Sequence, residues 1–347
     1  MRDIRLGILG FAHGHIGMYC ARWREHPEYG VRPVAGWDHD AERAAASGKT
    51  QSVEISPTAE ALVKRNDIDA VIITAETSRH ADLVETAAQA GKAIVLQKPI
   101  ALTLEQAGRI VNAVRKAGVP FTMAWQMRCD PHHLEIKSLL AGGAFGRVYM
   151  VRRRHALPTQ QWKDFEKTWH VNPEANRDIF ADDASHPIDF LYWLLGKPVS
   201  VVAELGTLRS PAVKNDNAIA VFRYADGCFA EVSCTFVAVA GENVTEIYCE
   251  NGTIVQNYGD VPSCNIPRPP GGIQLKWYLQ KDGRWTVSST PEITSHGERI
   301  AGLAGPIAEF LQGRRPPIAT AEEGRDVLRL VLACYDSAGL GKRIDIQ

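Results

Sequence analysis

Apolar and polar positions follow two different rhythms along this chain. Up to about residue 125, short unbroken apolar runs recur: Ile4–Leu9, Val31–Trp37, 69–74, Ala93–Leu96 and 120–124. Runs of this length without alternation suit strands of a parallel sheet covered on both faces. Between them lie stretches of helical periodicity: one through Met18, Ala21 and Trp23, one from about Ala41, one over 78–90 and one over Leu104–Ala117. Gly91 and Gly118 stand where the last two end, the usual place for a residue of positive φ. Repeated βα units predict an α/β domain, a doubly wound parallel sheet occupying residues 1–125.

Beyond that point the rhythm changes. A helix over 131–140 leads through Gly142 and Gly143 to a strand over 148–155. From 199 to 255 strands follow one another, among them 218–224, 228–237 and 245–249, with Asp226-Gly227 and Asn251-Gly252 supplying the turns. The stretch 259–272, with Pro262, Pro267, Pro269 and Pro270, reads as a loop, and helices over 298–311 and 321–338 follow. The pattern predicts a second domain over 126–347, of α+β type with a large, open, mainly antiparallel sheet.

A chain of 347 residues is longer than one ordinary core sustains, which agrees with two domains. The formal net charge of −1 argues against a partner in nucleic acid or a membrane surface, since such proteins carry a basic bias. Cys20, Cys129, Cys228, Cys234, Cys249, Cys264 and Cys334 are dispersed with no C-x-x-C pair, the usage of reduced thiols and not of a disulfide framework or a zinc site. The first residues enter a strand with no signal-like apolar segment, and no run approaches the roughly 18 apolar residues of a membrane span. A cytoplasmic protein is expected.

Candidate chemistry sits at three places. The first strand ends at Gly10, and Ala12, His13, Gly14 and His15 lead into a helix, the strand–turn–helix arrangement that binds pyrophosphate through backbone N–H groups. The glycine fingerprint is imperfect, because Ala12 and His15 fall where glycines are usual. The second strand ends at Asp38, where a carboxylate accepts hydrogen bonds from adenosine ribose hydroxyls and repels a 2′-phosphate. Together they predict a Rossmann domain binding NAD, with NADP disfavoured. His13, His15 and Cys20 match no common metal spacing. Lys98, in Gln97-Lys98-Pro99, follows a buried strand and so falls at the ligand-binding edge of the sheet. Asp182 and His186 are four residues apart, one helix face if a helix begins near Asp182, and a carboxylate beside an imidazole suits a general base. An N-cap aspartate and a structural histidine fit the same spacing. Asp189 shares that face, and His132-His133 read as surface or cap residues.

Taken in order, these pieces form a set. Gly10, Asp38, Asp69-Ala-Val-Ile-Ile73 through His80, Ala90-Gly91-Lys92 and Gln97-Lys98-Pro99 are followed by Arg128-x-x-Pro131 and Gly143-Ala-Phe-Gly-Arg-Val148. Trp169-x-x-x-Pro173-Glu174, Asp182-x-Ala-x-His186-x-x-Asp189 and Glu246-Ile-Tyr-Cys-Glu-Asn-Gly-Thr253 come after. The ordered set resembles the Gfo/Idh/MocA family of NAD(P)-dependent oxidoreductases, which includes sugar and inositol dehydrogenases. The resemblance spans nearly the whole chain.

The resemblance implies that Thr74, Ala75, Glu76, His80 and Gln97 line the cofactor side with Gly10, Ala12, His13, Gly14 and Asp38. It implies that Lys98 binds the reacting hydroxyl, that His186 takes its proton, and that Asp182 holds substrate and orients the imidazole. Arg128, His155 and Trp169, with His170, are candidates for the substrate wall, the substrate being a sugar or polyol. The open second sheet implies a homodimer or homotetramer. Glycoside cleavage through transient oxidation, and a non-catalytic sensor of NAD or sugar, are the alternatives. Departures from the family pattern are Gln97 where Glu is usual, so that Lys98 loses one possible nearby anion, Glu76-Thr77 where Pro-Asn is frequent, Ala184 for Gly, and Asp178 in place of a glycine cluster, where it is expected to add a polar group to the pocket wall.

Overall fold

A computed structural model describes residues 3–257 and 271–346. The proline-rich stretch expected to be a loop lies almost entirely outside the described residues, as does Cys264. The chain forms two compact units, each assembled from separate pieces. The first comprises Met1–Cys129, Pro173–Asn176 and Arg299–Leu328; the second comprises Asp130–Asn172, Arg177–Glu298 and Arg329–Gln347.

The first unit contains β1 (Ile4–Leu9), α1 (His15–Glu25), β2 (Val31–Trp37), α2 (Ala41–Gln51), β3 (Glu54–Ile55), α3 (Ala59–Val63), β4 (Ala70–Ile73), α4 (His80–Gln89), β5 (Ala93–Leu96), α5 (Leu104–Ala117) and β6 (Phe121–Met123). Its six strands are parallel in the order β3-β2-β1-β4-β5-β6, the doubly wound arrangement. All residues of β4 are buried, as a strand covered on both faces requires. Helices start on caps the sequence supplies. Asp40 accepts from the amides of Glu42 and Arg43 before α2, and Thr103 accepts from Gln106 before α5. Gly118, at φ +63°, ends α5 as expected.

The piece Arg299–Leu328 lies along the β6 edge of this unit. Met123 N donates to Ala319 O at 2.9 Å and Ile318 N to Thr122 Oγ1 at 2.8 Å. The Trp23 indole donates to Ala304 O at 3.0 Å, and Gln312 to Tyr29 O at 2.9 Å. A single helix over 298–311 is expected from the pattern; it is interrupted at Leu303 into His296–Gly302 and Ala304–Leu311.

The second unit contains α6 (Pro131–Ala141), β7 (Val148–Ala156), α7 (Ser185–Leu195), β8 (Ser200–Gly206), β9 (Asn217–Arg223), β10 (Phe229–Thr235), β11 (Val244–Cys249), β12 (Gly252–Gln256), β13 (Leu275–Leu279), β14 (Arg284–Val287) and β15 (Ile344–Asp345). Among the described residues, nine strands form one sheet in the order β14-β13-β12-β11-β7-β10-β9-β8-β15, antiparallel throughout except for the β7–β10 pair. The period of two divides each strand between a buried face and an open one. On β7, Val151, Arg153 and His155 are buried, while Met150, Arg152 and Arg154 are exposed. Arg152 on the open face lies between Glu231 at 3.2 Å and Glu246 at 3.3 Å, its two cross-strand neighbours. Helix α7 packs on the buried face against β7 and β10. Near it His133 is wholly buried, its ring 4.4 Å from that of Phe190, and His132 is buried too. These two are core residues, contrary to the surface role their position suggests.

Candidate functional site

The first unit gathers the expected cofactor residues at the carboxyl ends of β1, β2, β4 and β5. Gly10 has φ +87°, and a Cβ there would stand 2.4 Å from Ala75 Cα, so only glycine permits this approach of the β1 and β4 ends. Thr74 Oγ1 donates to Gly10 O at 2.5 Å, and His13 N to Thr74 O at 2.9 Å. Gly14 is exposed at the start of α1, where the amides of the first turn have no partner within the helix. Such a turn, with a carboxylate at the end of β2, fits a dinucleotide.

Asp38 is engaged from every side. Its Oδ2 accepts from Phe11 N at 2.6 Å and Arg43 Nε at 2.8 Å; its Oδ1 accepts from Arg43 Nη2 at 2.8 Å and Asp40 N at 2.9 Å. Arg43 Nη2 also reaches Glu76 Oε1 at 2.7 Å. Burial works to raise the Asp38 pKa, but these hydrogen bonds and the Arg43 charge outweigh it and hold the carboxyl below its ordinary value. Burial likewise works against the Arg43 charge, yet its two carboxylate partners raise its pKa further. The sequence reading did not single out Arg43. An arginine five residues past a strand-end acid looks like one more solvated helix residue.

Gln97 explains itself through its partners. Its Oε1 accepts from Lys98 N at 3.0 Å, and its Nε2 donates to His15 Nδ1 at 2.9 Å and to Tyr19 Oη at 3.3 Å. Only an amide both accepts and donates in this way; a carboxylate would present acceptors alone. Accepting at Nδ1 leaves the His15 proton on Nε2. Lys98 follows, 3% exposed, at the end of β5. His80 is fully enclosed, with Pro99 O at 2.9 Å and Ile100 O at 3.2 Å from Nδ1 and Ala75 O at 3.2 Å from Nε2. Burial pushes its pKa down to about 4 despite those carbonyls. The ring ties the β4 loop to the Lys98-Pro99 turn. Arg128 Nη1 is bound to Ile318 O at 3.2 Å and Glu323 at 2.9 Å within this same unit.

The second unit carries an acid–base cluster. A π-helical turn, Phe180–Ala184, runs directly into α7, so Asp182 is not the N-cap of a helix beginning there. The two consecutive aspartates of this turn serve different imidazoles. Asp183 reaches His155 Nε2 at 3.1 Å through Oδ2 and His186 Nε2 at 3.5 Å through Oδ1. Asp182 Oδ2 lies 2.7 Å from His170 Nδ1. His186 meets Asp183, at a spacing of three, on a turn that is π-helical and not α-helical. His170 is stacked between Trp169, ring centroids 4.0 Å apart, and Phe165, at 6.0 Å.

The turn is anchored from behind by Asp178. Its carboxylate accepts from Tyr335 Oη, from Ala181 N at 3.0 Å and from Asn215 Nδ2 at 2.6 Å. Burial raises the Asp178 pKa even so. Asp178 braces the turn. Among the described residues, no group of three or more His, Cys, Asp or Glu side chains is arranged to hold a metal ion. No helix among them is long and apolar enough to cross a membrane.

A parallel sheet with this glycine turn and strand-end acid has the form of a dinucleotide-binding unit. The description "Oxidoreductase family, NAD-binding Rossmann fold" matches residues 4–125, and "GFO/IDH/MocA C-terminal domain" matches 133–255. The chain is similar to inositol 2-dehydrogenase of Rhizobium meliloti (strain 1021), 30% identical over 257 residues, 72% of this chain and 74% of that protein. It is similar to D-apiose dehydrogenase of Paraburkholderia graminis, 29% identical over 333 residues, 94% of this chain and 85% of that one. The solved levoglucosan dehydrogenase, in complex with NADH and levoglucosan, has the same fold: TM-score 0.86, 19% identity, with 99% of this chain and 100% of that chain covered. The chain belongs to the Gfo/Idh/MocA family of oxidoreductases and is an NAD-binding enzyme of that family.

Proposed function

We propose that this enzyme oxidises a secondary hydroxyl of a sugar, sugar derivative or inositol, with Lys98, His186 and the aspartates of the π-turn handling the proton. Bound NAD supplies the hydride acceptor. The observation that carries the reading is the Asp183 carboxylate shared by His155 and His186. Removing a hydride from a carbinol carbon requires the hydroxyl proton to leave as the carbonyl forms, and an imidazole backed by a carboxylate accepts a proton near neutral pH. His186 takes that role, and Asp183 orients it. The family resemblance assigns the Lys98 ammonium to stabilising alkoxide character on the reacting hydroxyl. Asp182 and His170, with the Trp169 face, bind the neighbouring hydroxyls of a ring substrate. Arg128 is assigned a supporting part, given its ties to Ile318 and Glu323.

The substrate class rests on the relatives, which are named for inositol, apiose and levoglucosan. The experiment is to follow NADH formation across a panel of inositols, aldoses, sugar acids and anhydrosugars. Turnover on a member of the panel, lost in His186→Ala with NAD binding retained, supports the reading. Absence of turnover on all of them would favour the sensor alternative.

The open face of the second sheet exposes Met150, Val202, Ile219, Val221 and Phe229. We assign it to a second copy of the chain, in a cytoplasmic homo-oligomer, since apolar residues collected on one face are characteristic of association surfaces. Val221→Glu with Ile219→Glu then yields monomers by light scattering.

A further inference from the structure

The acid that spacing assigns to the adenosine ribose is covered. The Asp38 side chain has no exposed surface, and both its oxygens already accept from Arg43 and backbone amides. Arg43 itself keeps 25% of its side chain exposed, so in this arrangement the guanidinium and not the carboxylate is the accessible group. A lone arginine here would be expected to welcome a 2′-phosphate. This one is backed by two carboxylates, Asp38 at 2.8 Å and Glu76 at 2.7 Å.

Glu76 has a further peculiarity. It is 7% exposed, and its Oε2 is buried without a hydrogen-bond partner. Among the described residues, the basic groups near that oxygen stand off, His39 Nδ1 at 3.6 Å and the half-exposed Arg79 at 3.8 Å. A buried carboxylate oxygen without a donor is costly, and Glu76 therefore brings more negative charge to Arg43 than its one hydrogen bond uses.

We propose that Arg43 selects the cofactor and that Glu76 is its positioning residue: Glu76 and Asp38 together hold the guanidinium and offset its charge, so that the site takes a ribose hydroxyl and refuses a 2′-phosphate. A 2′-phosphate brings close to two negative charges at pH 7, and two buried carboxylates within a few ångströms of Arg43 oppose it in a region where screening is weak. The inference rests on the NAD-binding role of this unit and adds to it the residues that discriminate.

The test is calorimetric binding of NAD and NADP to the purified full chain. Wild type is expected to bind NAD at least about tenfold more tightly than NADP. Glu76→Gln, which keeps the shape, is expected to raise the affinity for NADP relative to NAD about tenfold. Adding Arg43→Gln should erase that gain. An unchanged NADP-to-NAD ratio in Glu76→Gln overturns the proposal, as does equal weakening of both cofactors or a gain that survives loss of Arg43. If Glu76→Gln does not fold, wild type still decides, because ADP-ribose must then compete for the site at least about tenfold better than its 2′-phosphate. Equal competition overturns the selection, whereas no binding of either cofactor by wild type would refute the NAD role itself.

Discussion

Asp183 meets His155 with one carboxylate oxygen, at 3.1 Å from the imidazole Nε2, and turns its other oxygen to His186. One residue of the π-turn thereby fixes an imidazole from the sheet and one from the following helix. Asp183→Asn keeps the volume but weakens both contacts. We expect kcat to fall by about 10- to 1,000-fold, short of the loss on removing a general base outright. The Kd for NAD should stay within about twofold, since the acid lies in the unit that lacks the dinucleotide turn. Steady-state NADH formation alongside NAD titration checks this, and an unchanged kcat would remove Asp183 from the proton-handling group.

Lys98→Met retains the length of an apolar stem and deletes the ammonium. Removing one group that stabilises a developing alkoxide costs on the order of 100- to 1,000-fold in kcat. NAD binding should persist. Turnover near the wild-type rate would exclude Lys98 from contact with the reacting oxygen.

His80 makes stability depend on pH. Its folded pKa is about 4 against 6.5 for the free imidazole. The unfolded chain therefore takes up a proton first, so the contribution is complete above pH 6.5 and is lost as the pH falls toward 4. The difference corresponds to something on the order of 3 kcal/mol. In His80→Gln, urea midpoints measured at pH 7 and pH 4.5 should differ less than they do in wild type. Equal differences would mean that His80 is not held neutral by the fold.

Gln97→Glu would replace the donor facing His15 Nδ1 and Tyr19 Oη with a second acceptor. The His15 ring is then expected to carry a proton on both nitrogens at pH 7, where wild type carries one on Nε2 alone. Nitrogen chemical shifts of a ¹⁵N-histidine sample distinguish the two forms. Identical His15 shifts in variant and wild type would contradict the hydrogen-bond direction assigned to Gln97.

Much of the first unit was legible because its signals are local. Unalternated apolar runs, glycine caps and Thr or Asp N-caps each act within a few residues, and the strands, α1, α2 and α5 lie where they point. Short elements such as Glu54–Ile55 and Ala59–Val63 carry too few residues to show a period. Asp38 was visible by its distance from the glycine turn. The Arg43 link between Asp38 and Glu76 was not seen, since β1 separates the ends of β2 and β4 and their meeting leaves no spacing to read. The same holds for Asp183: its meeting with His155 depends on a strand 28 residues away lying under the turn. The rule of four pointed to Asp182 and could not register the π-turn, which brings Asp183 to His186 at a spacing of three. Nothing local marks Arg299–Leu328 as part of the first unit, because its helices look like any others that follow a sheet.

That last piece bears on how the protein is made. The chain leaves the first unit after Cys129 and, apart from Pro173–Asn176, returns to it only with Arg299–Leu328. Arg128 waits for Ile318 and Glu323, and the Trp23 indole for Ala304. A growing chain from which β6 has just emerged therefore lacks the piece that covers the β6 edge, and a fragment ending near residue 125 exposes the same edge. A truncation meant to isolate the cofactor unit must carry Arg299–Leu328 on a linker, or it will offer β6 to other chains.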